Sequence, residues 1–246
     1  MIKIESLIIP EPWPKGSLRM PRLQAHRGYW LDGDQENTLA AIRKAKTKGA
    51  LMFECDVQLS KDRVPVLFHD QTLQKFSGNK AKVDELTVTE LKELAKVSTL
   101  EEVLKDPDVP VLANIELKTL NHLNEALERK VAEVVTRLRL EHRVMFSSFN
   151  PTSLWRMKQY LPQVPRAFLL SANPSDNPKF FHMINFAPFL SVHLLHLHHG
   201  LCTESRLRRL TKNKIPFAVW TVNERDRIDY FLRQGAISVI SDSLDF

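Results

Sequence analysis

Six residues separate two β-type runs early in this chain, and that short gap constrains the fold more than any other feature. Residues 51–57 (Leu-Met-Phe-Glu-Cys-Asp-Val) and 64–69 (Val-Pro-Val-Leu-Phe-His) are linked only by residues 58–63. Parallel neighbours need a crossover of about a dozen residues or more, so the second run must return antiparallel, as a hairpin. The other β-type runs, at 23–27, 111–117, 144–148, 167–170, 191–197, 217–221 and 237–241, are mostly separated by helical patterns. Those patterns lie at 38–48 (closed by Gly49), 87–95, 123–138, 153–160, 204–213 and 224–234 (closed by Gly235). Strands alternating with helices argue for a parallel sheet covered by helices. Taking the hairpin strand out of nine candidates leaves eight. Eight βα units in about 220 residues is the size of a (β/α)8 TIM barrel. The competing arrangement is an open doubly wound sheet. Residues 1–22, with Pro10, Pro12, Pro14 and Pro21, read as an extended lead-in, and residues 23–246 as the single barrel domain.

The chain has 246 residues, 43% of them hydrophobic and 26% charged, which is ordinary for a globular domain. No run approaches the roughly 18 apolar residues of a membrane span. The N-terminus carries Glu5 inside its short apolar run and lacks a small-residue cleavage site, so no signal peptide is expected and the predicted location is cytoplasmic. Two cysteines, Cys55 and Cys202, are too few for a disulfide scaffold or a zinc module. Seven glycines are too sparse for the phosphate-cradling nucleotide loops. Residues 28–34 (Gly-Tyr-Trp-Leu-Asp-Gly-Asp) have P-loop spacing, but Asp34 stands where a lysine is required.

The chemistry concentrates on two strands. Side chains alternate along a strand, so Glu54 and Asp56 share a face of the run 51–57, and Asn114, Glu116 and Lys118 share a face of 111–117 and its continuation. Paired carboxylates in an apolar strand repel one another and lose hydration unless a cation or donors compensate. In a barrel both polar faces point inward at the C-terminal mouth, where such enzymes place their sites. Three carboxylates there make an oxygen-rich pocket suited to one hard divalent cation, Mg²⁺ or Ca²⁺. His26 ends the first run and His69 ends the hairpin, both beside that pocket, as a general acid and base require. Arg27 offers a planar fork that fits phosphate. Gly28 allows a sharp turn, and Asn37 or Thr38 is placed to cap the first helix.

These residues fall in an ordered series: His26-Arg27-Gly28, Glu36-Asn37-Thr38, Glu54-Cys55-Asp56-Val57, His69-Asp70, Thr87 with Glu90, Thr99 to Leu104, Asn114-Ile115-Glu116-Leu117-Lys118, Ser147-Ser148-Phe149 and Trp220-Thr221-Val222-Asn223. The series resembles the glycerophosphodiester phosphodiesterase family over residues 22–246. The resemblance implies a metal-dependent (β/α)8 barrel, related to the phosphoinositide phospholipase C fold, that hydrolyses small-molecule glycerophosphodiesters to glycerol phosphate and an alcohol. It implies Glu54, Asp56 and Glu116 as metal ligands, His26 and His69 as the acid/base pair, and Arg27 and Lys118 as phosphate-contacting cations. Read from the sequence itself, Trp220 and Phe149 end strands where the substrate would sit and are expected to wall the pocket, with core packing the alternative.

The segment between Leu94 and Thr99 is only Ala-Lys-Val-Ser, so the cap insertion is expected to be shortened and the mouth open. An open mouth admits the alternative of a lysophospholipase D or another phospholipid-directed phosphodiesterase. From a different class, the alternative is a non-catalytic barrel binding a phosphorylated ligand or nucleic acid; a binder needs neither histidine, which argues against it. The net charge of +6 includes Arg206, Arg208, Arg209, Lys212 and Lys214 on one helical pattern, read as a solvated face. No nucleic-acid partner is expected, and peripheral membrane contact is not indicated. His193, His196, His198 and His199 cluster on one run without interleaved acids or cysteines, so rim or mouth residues are the preferred reading over a second metal site. Cys55 faces away from Glu54 and Asp56 and reads as a small buried hydrophobe.

Overall fold

A computed structural model describes residues 10–119, 125–173, 176 and 192–244. The first nine residues of the lead-in, residues 123 and 124 of the third helical segment as read from the sequence, Ser191 and the last two residues of the barrel range lie outside the described residues.

Eight parallel strands close on themselves: β1 (Leu23–His26), β2 (Met52–Leu59), β5 (Leu112–Leu117), β6 (Val144–Ser148), β7 (Arg166–Leu170), β8 (Leu194–His198), β9 (Phe217–Trp220) and β10 (Ser238–Ser241). Pairing of β1 with both β10 (Gln24 with Ile240) and β2 (His26 with Glu54) completes the barrel. This rules out the open sheet. The short link after Val57 does what its length demands. β3 (Pro65–Leu67) runs antiparallel to β2, with Val57 opposite Leu67. A further two-residue strand, β4 (Ser98–Thr99), pairs antiparallel with β3, so the excursion is larger than the expected hairpin.

Described helices are α1 (Leu39–Thr47), α2 (Gln74–Ser77), α3 (Val88–Ala95), α4 (Leu100–Lys105), α5 (Ala126–Leu138), α6 (Pro151–Tyr160), α7 (Glu204–Lys212) and α8 (Arg225–Arg233). Their starts are locally encoded. Thr38, Thr87, Thr99 and Asn150 each accept from a backbone N–H of the first turn, and Thr87–Glu90 and Thr99–Glu102 form reciprocal capping boxes. On α7, Leu207 and Leu210 are buried while Arg208 and Lys212 are exposed, the solvated basic face read from the sequence. Among the described residues no helix is long and apolar enough to cross a membrane.

Strand alternation builds two cores. Outward residues such as Phe53, Cys55, Val57, Ile115 and Phe146 pack under the helices. Burial in this apolar layer pushes the Cys55 thiol well up, so it remains a protonated filler. Inward residues fill the barrel in layers. Met52, Met145, Ala167, Leu194 and Ala218 plug its N-terminal end together with Leu18 of the lead-in. Residues 10–22 form no helix or strand, yet they lie across this end. Glu11 reaches Arg166 and Lys158 at 2.6 Å each, and Trp13 meets His193 edge-on at 6.0 Å. Above the plug, Gln24, Asn114, Ser147 and Ser238 hydrogen-bond across the barrel. That polar belt leaves the C-terminal mouth for chemistry.

Candidate active site

Registers carry the acids to one place. Asp56 on β2 pairs with Glu116 on the adjacent β5, and Glu54 lies one inward position below Asp56. All three are buried, and one carboxylate oxygen of each lies within 4.8 Å of the other two. Among the described residues this is the one group of three or more ligand-type side chains that converges so. The donors are all oxygen, the set a hard divalent cation takes. Burial, then the neighbouring charges of Asp56 and Glu116, push the Glu54 carboxyl well up; burial likewise raises Glu116. Burial would raise Asp56 too, but Arg27 and Lys118 hold it well below the ordinary carboxylate range. The triad therefore has a surplus of negative charge that a cation would relieve.

The first βα loop organises this cluster. Arg27 adopts φ +57° and donates its backbone N–H to Glu54 Oε2 at 3.1 Å. Its guanidinium lies 3.0 Å from both Glu36 and Asp56. Asn37, also left-handed, donates to Asp56 Oδ2 at 2.9 Å and accepts from the Asp56 backbone at 3.0 Å. Thr38 is the cap, so the triplet 36–38 is more than a helix start: Glu36 braces Arg27, and Asn37 braces Asp56. Lys118 stands 3.0 Å from Glu116 and 3.4 Å from Asp56. Despite the cost of burial, these acids keep Arg27 and Lys118 firmly charged.

Both histidines are tethered through Nδ1. His26 Nδ1 lies 2.6 Å from Asp242 Oδ1, and Asp242 is in turn held by Asn223 through Nδ2 at 2.9 Å and by its own N–H donating to Asn223 Oδ1. His69 Nδ1 lies 2.7 Å from Asp70. A carboxylate only accepts, so each Nδ1 carries the proton and each Nε2 is left for the site. His26 Nε2 is 3.9 Å from Glu54 Oε2. Gln58 fixes the His69 loop by donating to the carbonyls of Phe68 and Asp70, both at 2.8 Å.

A cavity of about 90 Å³ joins these groups; His26, Arg27, Glu54, His69, Glu116, Lys118 and Trp220 all line it. Trp220 forms a wall against Phe149 at 5.7 Å, and its indole N–H is committed to the His196 carbonyl at 3.1 Å. Every site residue named from the sequence thus borders this space or, like Asp56, lies directly behind it. The four histidines at 193, 196, 198 and 199 form no such converging group. His193 accepts from the Arg166 backbone at the closed end, His196 lies inside the barrel, and His198 and His199 stack on each other at the rim with centroids 4.3 Å apart. Asp242, Asp70 in its tethering role, Asn37 as a brace and Gln58 escaped the sequence reading. The His-Asp dipeptide at 69–70 is a local signal for one of them.

A closed barrel with a carboxylate triad and two carboxylate-tethered histidines at its C-terminal mouth defines the class: an α/β-barrel enzyme. A model of the glycerophosphoryl diester phosphodiesterase family matches residues 25–246, and the chain belongs to that family. It is 29% identical over 231 residues to a glycerophosphodiester phosphodiesterase of Caldanaerobacter subterraneus subsp. tengcongensis, covering 89% of this chain and 92% of that one. Among solved structures, an Oleispira antarctica phosphodiesterase in complex with the product sn-glycerol-3-phosphate matches with TM-score 0.75 and 26% identity, over 91% of this chain and 93% of that one. A glycerophosphodiester phosphodiesterase of Thermotoga maritima matches with TM-score 0.72 and 28% identity, over 92% and 96%.

Proposed function

We propose that this chain hydrolyses small glycerophosphodiesters to glycerol phosphate and an alcohol, using His26 and His69 as the acid/base pair. The observation that carries this reading is the convergence of Glu54, Asp56 and Glu116 within 4.8 Å, beside a cavity lined by Glu54, Glu116 and both histidines. Glu54, Asp56 and Glu116 would hold one divalent cation, Mg²⁺ or Ca²⁺, whose chemistry is Lewis-acid stabilisation of charge on a phosphoryl oxygen. Arg27 and Lys118 face the same space as fixed positive charges and add to that stabilisation. Their ion pairs to Glu36, Asp56 and Glu116 fix them before substrate arrives, so little reorganisation accompanies the reaction.

Proton movement falls to the two Nε2 atoms. One histidine, neutral with Nε2 bare, takes the proton from the nucleophile, a water or the neighbouring glycerol hydroxyl; the other, entering the step as the imidazolium, gives its Nε2 proton to the leaving alcohol. Asp242 and Asp70 hold the rings in the tautomer this requires and favour the imidazolium that forms. Trp220 and Phe149 narrow one side of the cavity and exclude water there.

The test is release of glycerol phosphate from glycerophosphocholine by purified protein, with lysophosphatidylcholine as the comparison substrate. EDTA should stop the reaction, and Mg²⁺ or Ca²⁺ should restore it. Turnover that survives both chelation and the double substitution Glu54→Ala, Glu116→Ala would remove the metal from the reading. His26→Ala and His69→Ala should each lower kcat by something like 10²–10⁴-fold in folded protein. A faster initial rate on lysophosphatidylcholine would instead favour the lysophospholipase D reading.

A further inference from the structure

His196 projects inward from β8 with no solvent exposure, and among the described residues neither of its ring nitrogens has a hydrogen-bond partner. Buried polar groups in proteins are nearly always paired, so a wholly unpaired imidazole points to a partner that arrives with a ligand. The ring lines the same cavity as His26, Glu54 and Glu116. His198, the next inward residue along β8, pairs with Trp220 at the rim, which puts His196 one layer deeper, on the order of 6–7 Å below the mouth. It forms the floor together with Asn114, Ser147 and Leu169.

Its polar neighbours on that floor are already satisfied. Ser147 donates to Asn114 at 3.0 Å, and Asn114 donates to Gln24 at 3.0 Å. His196 stands outside this chain, and it is not part of the carboxylate triad. Burial pushes its pKa down to about 3. An uncharged imidazole has one N–H and one lone pair. It has no charge to offer a phosphate. A hydroxyl, which both donates and accepts, is its complement.

We propose that His196 is a specificity-determining residue, exchanging a hydrogen bond with the hydroxyl of the glycerol moiety that lies farthest from the phosphate. The inference rests on the glycerophosphodiester reading above. With the phosphate between the carboxylate triad and the two histidines, the glycerol half points down to the floor and the leaving alcohol points out through the mouth. The chain then selects for the polyol half of the diester and tolerates variation in the other half.

Steady-state rates on three substrates test this in wild type and His196→Phe: glycerophosphocholine, its analogue built on 1,2-propanediol, which keeps the hydroxyl beside the phosphate, and bis(p-nitrophenyl) phosphate. Wild type should prefer glycerophosphocholine to the deoxy analogue by about 10- to 100-fold in kcat/KM, and His196→Phe should erase that preference mainly through KM. Rates on bis(p-nitrophenyl) phosphate, which carries no hydroxyl, should change by less than about threefold. A variant that keeps the wild-type preference overturns the role of His196 while leaving the reaction intact. Wild-type protein that cleaves bis(p-nitrophenyl) phosphate but not glycerophosphocholine overturns the underlying reading, and the inference with it. A measurement on unaltered protein guards against a misfolded variant. In nitrogen-15 histidine-labelled enzyme, sn-glycerol-3-phosphate should shift the ring nitrogens of His196 and inorganic phosphate should not; equal responses to the two overturn the proposal.

Discussion

In the proposed mechanism two histidines with protons fixed on Nδ1, His26 on β1 and His69 in the loop after β3, face one phosphate, and the carboxylates that fix them share in the proton path. Asp242 holds His26 at 2.6 Å; burial pushes its own carboxyl up, but His26, Asn223 and Arg27 together bring it below the ordinary carboxylate range. Replacing it by Asn keeps the shape and lets the amide present an N–H to Nδ1, which would force the proton onto Nε2. Asp242→Asn should therefore lower kcat by something like 10²–10⁴-fold, with a smaller change in KM and an unchanged melting temperature. A loss under threefold in steady-state kinetics would free His26 from this dependence. The residues proposed to hold the cation and the phosphate were legible because they repeat at i, i+2 on a strand, as Glu54 with Asp56 and Glu116 with Lys118 do. Asp242 was not. It sits 216 positions from its partner, and only barrel closure, which lays β10 beside β1, brings the two together.

At the scale of elements, the first βα turn carries the heaviest geometric demand. Gly28 has φ +85°, and a Cβ placed there would lie 2.6 Å from the Ala41 carbonyl carbon in α1, far inside contact distance. The close approach is used: the Tyr29 N–H donates to the Ala41 carbonyl at 2.8 Å. Gly28→Ala combines left-handed strain with a backbone clash, so it should cost about 1–3 kcal/mol and lower activity as well, because Arg27 precedes it. Urea melts and glycerophosphocholine turnover on the same preparation check both effects; a neutral change in both would mean that α1 can shift away. The longer helices were readable from their periodic apolar faces, and α1 also from its cap at Thr38. α4 and β4 were not, since six residues and two residues are too short to show a period. Their stability comes from packing: Leu100, Val103 and Leu104 are buried in the main core, a tertiary contact that no local pattern announces.

For the whole molecule, the strand count was legible from one short link, whereas the sealing of the barrel's far end was not. A proline-rich lead-in has no repeat from which to read burial, yet it supplies Leu18 to the plug and Glu11 to a buried Arg166. That end also holds His193, whose pKa is pushed down to about 4, chiefly by burial and then by the Arg166 charge, with Glu11 opposing. The folded form binds the proton less readily than the unfolded chain, whose histidine titrates near 6.5. Between those values the unfolded state carries the extra proton, so stability falls as pH drops from about 6.5 towards 4. The contribution of this one group approaches about 1.4 kcal/mol per pH unit. Carboxylates elsewhere titrate in an overlapping range, so the quantity to read is the difference between wild type and His193→Asn. Urea melts at pH 5 and pH 6 should show the wild type losing more stability than the variant across that interval. Parallel losses would mean that the closed end opens enough to hydrate the ring before the barrel unfolds, and that the lead-in is a detachable cover rather than part of the cooperative core.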